Sequence, residues 1–78
     1  MEYTTEQIMK RTVVLYEVFK LIVSLNPRRY ENQTPTTVAD GLVHLLGDGS
    51  YYDSISRSCL VELITVYATA HPEIGLLR

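Results

Sequence analysis

The sequence predicts an all-α fold, a three-helix domain with helices over about 5–25, 35–46 and 52–70, expected to assemble as a helical homodimer. Apolar residues recur at helical spacing in three separate stretches, and each stretch is bounded by residues that start or stop helices. The first stretch also carries more apolar surface than one packed face uses. At 3.6 residues per turn, the apolar side chains between Ile8 and Leu25 sweep about two-thirds of the helix circumference. Only Lys10, Glu17, Lys20 and Ser24 make a continuous polar strip.

The first helix starts at Thr4, which with Gln7 three residues later has the spacing of a capping box, and Glu6 sits favourably against the helix dipole. Asn26-Pro27 stops it, because the residue before proline is pushed out of helical backbone. Arg28 to Gln33 is a polar connector. Thr34-Pro35 then reads as an N-cap followed by proline at the first helical position. In the second helix Val38, Leu42, Leu45 and Leu46 are expected to face inward, with Asp40 and His44 outward. Gly47 is the expected left-handed terminator.

The third helix closes at His71-Pro72. Its expected core stripe is Tyr52, Ile55, Cys59, Leu63, Val66 and Ala70, widened by Leu60 and Tyr67. Val61, Ile64 and Ala68 lie beyond that stripe. Ser54, Ser58, Glu62, Thr65 and Thr69 form the polar strip. A strand over Leu60–Tyr67 is the alternative its β-branched residues allow, but spacing and caps favour the helix. The tail, with Ile74, Leu76 and Leu77, is expected to dock back on the domain.

Seventy-eight residues make one domain, near the size at which folding buries only about 60% of the unfolded chain's surface. Help from a disulfide within the chain is excluded, because Cys59 is the only cysteine. A lone cysteine also fits a reducing compartment. Seven basic and nine acidic residues supply no global field for nucleic acid or anionic lipid. Met1–Gln7 lacks the features of a signal peptide, and Val13–Leu25 is too short and too interrupted to span a membrane. The expected location is the cytoplasm, with no membrane contact. Asn32-Gln33-Thr34 matches the N-glycosylation pattern, which without secretion is a chance match.

Enzyme chemistry has little to stand on. His44 and His71 lie in different elements, and neither has a second metal ligand at the spacing zinc requires. Cys59, on the expected core stripe, reads as a buried inert thiol. The 47–53 loop precedes a helix N-terminus, yet it lacks the lysine and the spacing of a phosphate loop. It also lacks the ligand positions of a calcium loop. No catalytic residue, metal or cofactor is therefore expected.

Two binding readings remain. Two helices joined by a short glycine turn have the outline of a helix-turn-helix DNA-binding transcriptional regulator. Against it, the second of them carries Arg57 as its sole basic residue, and Asp48 and Asp53 would repel phosphates. Arg28-Arg29-Tyr30 is the one basic-aromatic run that suits RNA, and a solvated linker explains it as well. The favoured reading is a small regulatory protein acting by protein–protein interaction, in general character a bacterial or phage-encoded modulator or inhibitor of a larger protein. Six tyrosines and no tryptophan suit half-buried contact surfaces. On this reading Asp48, Tyr51, Tyr52 and Asp53 engage the partner from a loop, while Leu15, Phe19 and Ile22 hold a homodimer.

Overall fold

The computed structural model describes residues 4–46 and 51–77, without the side chains of Leu46 and of residues 51–53. Helix α1 spans Thr5–Leu25, α2 Pro35–Leu46 and α3 Tyr51–Ala70, followed by one turn of 3₁₀ helix at Pro72–Ile74. Among the described residues there is no strand, so Leu60–Tyr67 is helical.

The boundaries follow from local chemistry. Thr4 Oγ1 accepts the Gln7 N–H at 3.1 Å, and Gln7 Oε1 accepts the Thr4 N–H at 2.9 Å, which closes the capping box. At the other end Asn26 donates its N–H to the Ile22 carbonyl, and its extended backbone leads into Pro27. Successive turns through the connector end at Asn32, which adopts a left-handed φ of 67°, a conformation asparagine tolerates better than most residues. Thr34 Oγ1 then accepts the Thr37 N–H at 3.2 Å, with Pro35 in the first turn of α2.

The interior is assembled from every element. Leu15, Phe19 and Val23 come from α1, Tyr30 from the connector, Val38, Ala39, Leu42 and Val43 from α2, Leu60 and Ile64 from α3, and Ile74 from the tail. Phe19 is fully enclosed and meets the Tyr67 ring edge to face at 5.3 Å and the Tyr30 ring stacked at 5.8 Å. Tyr67 in turn stacks on His71 at 4.3 Å. Helix α3 is the middle element and packs on both α1 and α2, which touch each other much less.

That central position corrects the expected faces. In α2 the inward side is Val38, Ala39, Leu42 and Val43, and Leu45 is 74% exposed. In α3 the buried arc runs through Ser56, Leu60 and Ile64, while Cys59, Val66 and Ala70 face outward. The stripe is displaced because α3 has to bury surface toward two neighbours, and the centre of the buried arc falls between their directions. Cys59 is consequently an exposed thiol rather than a core one. Ser56 is wholly buried with a hydroxyl that has no partner among the described residues, a local cost of the close fit. The expected polar strip is outward, and Ser58, Thr65 and Thr69 fold their hydroxyls onto carbonyls one turn back.

The tail docks as expected. The Asn32 N–H donates to the Gly75 carbonyl and the Leu77 N–H to the Gln33 carbonyl, each at 2.9 Å, so the tail lies along the connector. Ile74 fills the core from this side, and Arg28 Nη1 reaches the Glu73 carbonyl at 3.4 Å. Gly75 has a φ of 76°, and a Cβ there would stand 3.2 Å from Glu31 Cγ.

Phe19→Ala removes the ring on which these contacts converge, and a loss of about 3–5 kcal/mol is expected, comparable to the whole stability of a chain this small. Urea unfolding followed by circular dichroism measures it, and a loss below about 1 kcal/mol would contradict the packing described. The Cys59 thiol is expected to react fully with a thiol reagent in the native protein. Protection until denaturant is added would place Cys59 back in the core.

Candidate interaction surface

Winding the described side chains of α1 onto a helix separates its apolar residues into two sets. One set, Leu15, Phe19 and Val23, is used up in the chain's own core. The other, Met9, Val13, Val14, Leu21 and Leu25, remains half to four-fifths exposed. Within it Val14, Leu21 and Leu25, with the half-buried Val18 between them, stand at intervals of four, three and four residues. This is the spacing of a coiled-coil seam, set on a different side of the helix from the core stripe.

The seam accounts for part of the surplus apolar surface of α1, with Met9 and Val13 lying to one side of it. Complete burial of a valine or leucine side chain is worth about 1.5–3 kcal/mol, so covering Val14, Leu21 and Leu25 recovers a useful part of that sum. Toward the N-terminal end, Thr5, Glu6, Met9, Lys10, Val13 and Val14 outline a shallow depression of about 710 Å³ with an almost wholly apolar floor. The charges at its rim pair with each other, Lys10 with Glu6 at 3.2 Å, and further along α1 Lys20 pairs with Glu17 at 2.9 Å. The hydrogen bond that Lys20 donates to the Glu17 carboxylate holds the Lys20 pKa above its ordinary value, and the ammonium lies 4.9 Å from the centre of the Tyr16 ring.

The residues expected to hold a dimer are placed differently. Leu15 and Phe19 are 1% and 0% exposed inside their own protomer and have no surface to offer a second copy. Ile22 is half-buried and packs against the same core. Helical periodicity marked about two-thirds of the α1 circumference as apolar but did not say which arc α3 would cover. Of the expected partner loop, Asp48 lies outside the described residues. Tyr51, Tyr52 and Asp53 form the first turn of α3, with side chains outside the described set.

The remaining sequence candidates are dispersed. His44 is exposed on α2, and His71 Nδ1 lies 3.2 Å from Glu73 Oε1. No three histidine, cysteine, aspartate or glutamate side chains among the described residues gather to hold a metal ion. Arg57 is engaged by Asp40 at 3.3 Å, and Arg28 by Glu31 at 2.6 Å, which lowers the Glu31 pKa through the hydrogen bond and the neighbouring charge. The Arg29 guanidinium lies 5.2 Å from the centre of the Tyr30 ring.

A second concavity of about 530 Å³ lies between the first turn of α2 and the last turns of α3. Its walls include Thr34, Val61, Thr65, Ala68, Thr69 and Leu76, and no charged side chain lines it. This shared wall shows that α2 and α3 run antiparallel. Among the described residues, no helix is long and apolar enough to cross a membrane.

No protein-family model, curated protein or solved structure matches this chain.

Proposed function

We propose that the chain is a small cytoplasmic, non-enzymatic regulator that acts by binding protein through the outer face of α1. One observation carries the reading. Three of the five exposed large apolar residues of α1, Val14, Leu21 and Leu25, fall into an ordered seam with Val18 between them, whereas apolar residues scattered singly would need no explanation. A face of this kind suits an amphipathic helix laid against it, with apolar anchors three and four residues apart. Modulation or inhibition of a larger protein is the role this chemistry fits, because the contact needs only complementary apolar anchors. A duplex-DNA reading draws less support, since Arg57, the sole basic residue of α3, is already engaged by Asp40.

The test compares wild type with Leu21→Glu, and with Val66→Glu as a control on the exposed side of α3. Association is followed by sedimentation velocity, on the purified chain and again in a cell extract. The reading expects association in at least one setting, a loss of ten-fold or more on Leu21→Glu, and little change on Val66→Glu, about the effect of placing a charge in an apolar contact. Both variants are expected to keep the wild-type helical signal. A chain that stays monomeric in both settings, or binds equally well as Leu21→Glu, overturns it.

A further inference from the structure

We propose that the cleft between α2, α3 and the tail is a second site, built for a small uncharged amide on an apolar body. It shares no residue with the exposed face of α1 and does not depend on the reading given to that face. Three walls enclose the cleft: Pro35 and Thr36 from the first turn of α2, Thr65, Ala68 and Thr69 from the last turns of α3, and Leu76 from the tail. Its volume of about 530 Å³ falls within the range of small-molecule sites. The walls are fixed before anything binds. The Thr65 hydroxyl donates to the Val61 carbonyl at 2.7 Å and the Thr69 hydroxyl to the Thr65 carbonyl at 2.9 Å, so neither β-branched side chain swings across the gap. Ala68 between them is too short to fill it. The tail wall is pinned by the Leu77 N–H, which donates to the Gln33 carbonyl at 2.9 Å.

Those same hydrogen bonds decide what the cleft accepts. With their protons spent on the backbone, the Thr65 and Thr69 hydroxyls are left as acceptors on the α3 wall. The α2 wall supplies a donor. Of the first N–H groups of α2, those of Thr37 and Val38 turn back to Thr34 and Pro35 has none, but the Thr36 N–H has no partner among the described residues. The helix ends add to this pattern. Antiparallel packing sets the positive start of α2 beside the negative end of α3, and the first turn of α2 holds no acidic residue and the last turn of α3 no basic one. No charged side chain lines the cleft. A carboxylate would meet the threonine acceptors and lose its hydration, and an ammonium would face the start of α2. A neutral amide gives its C=O to the donor wall and its N–H to the acceptor wall, and its dipole lies along the field between the two helix ends.

Three probes that share one ring distinguish charge from shape: benzamide, benzoate and benzylammonium, each titrated at neutral pH into isotope-labelled protein and followed by backbone amide chemical shifts. Benzamide is expected to give saturable shifts at Thr36, Thr65, Ala68 and Thr69, with the Thr36 amide proton moving downfield and a Kd on the order of 1 mM. The two charged probes are expected to bind at least about ten-fold more weakly. Ala68→Leu fills the cleft and is expected to abolish the benzamide shifts. Thr65→Val keeps the shape and removes one acceptor, and is expected to weaken benzamide about three-fold or more with the helical signal unchanged. No saturation at the cleft by about 20 mM benzamide, equal binding of the three probes, or benzamide binding that survives both variants unchanged overturns the proposal. Each of those results leaves the α1 reading to be decided by the Leu21→Glu comparison.

Discussion

The Phe19 ring is the fixed point of this molecule. It has no exposure, and it packs against Tyr30 from the connector and Tyr67 from α3. Through Tyr67 the stack continues to His71, next to the 3₁₀ turn that seats Ile74. One aromatic side chain thus ties the first helix, the connector, the last helix and the tail. The rotation of α1 about its own axis is set by the requirement that Phe19 point into this cluster. Once that rotation is set, Val14, Leu21 and Leu25 have to point elsewhere.

The order and ends of the helices were legible because they depend on neighbours in sequence. Thr4 with Gln7, Asn26 before Pro27, Thr34 before Pro35 and His71 before Pro72 each act within a few residues, and the helices begin and end at or within one residue of them. Which side of each helix is buried depends on what lies across from it. Periodicity in α3 fits more than one arc because Ile, Val, Leu and Tyr occur nearly all round it. The arc through Leu60 and Ile64 is selected by having α1 on one side and α2 on the other, which the sequence of α3 does not contain. Leu45 was misjudged for the same reason.

The surface on α1 was half legible. Its excess of apolar residues was visible in the sequence, but the split between core and seam was not, and Leu15 and Phe19 were assigned to the wrong set. A clue lay in the spacing of Val14, Val18, Leu21 and Leu25, and another in Phe19 being the chain's only phenylalanine, a side chain large enough to anchor a core this small. Neither clue decides alone. The structure separates the two sets by enclosing one of them.

The ion pairs along the surface have a colloidal consequence. Glu6 with Lys10, Glu17 with Lys20, Arg28 with Glu31 and Asp40 with Arg57 each neutralise charge within the chain, and the net charge is only −2. Little long-range repulsion is left to hold molecules apart in solution. Contact between them is then governed by apolar surface, which responds weakly to ionic strength and loses attraction on cooling. Any contact made through such apolar surface weakens on cooling, the reverse of what charge-mediated contact would give.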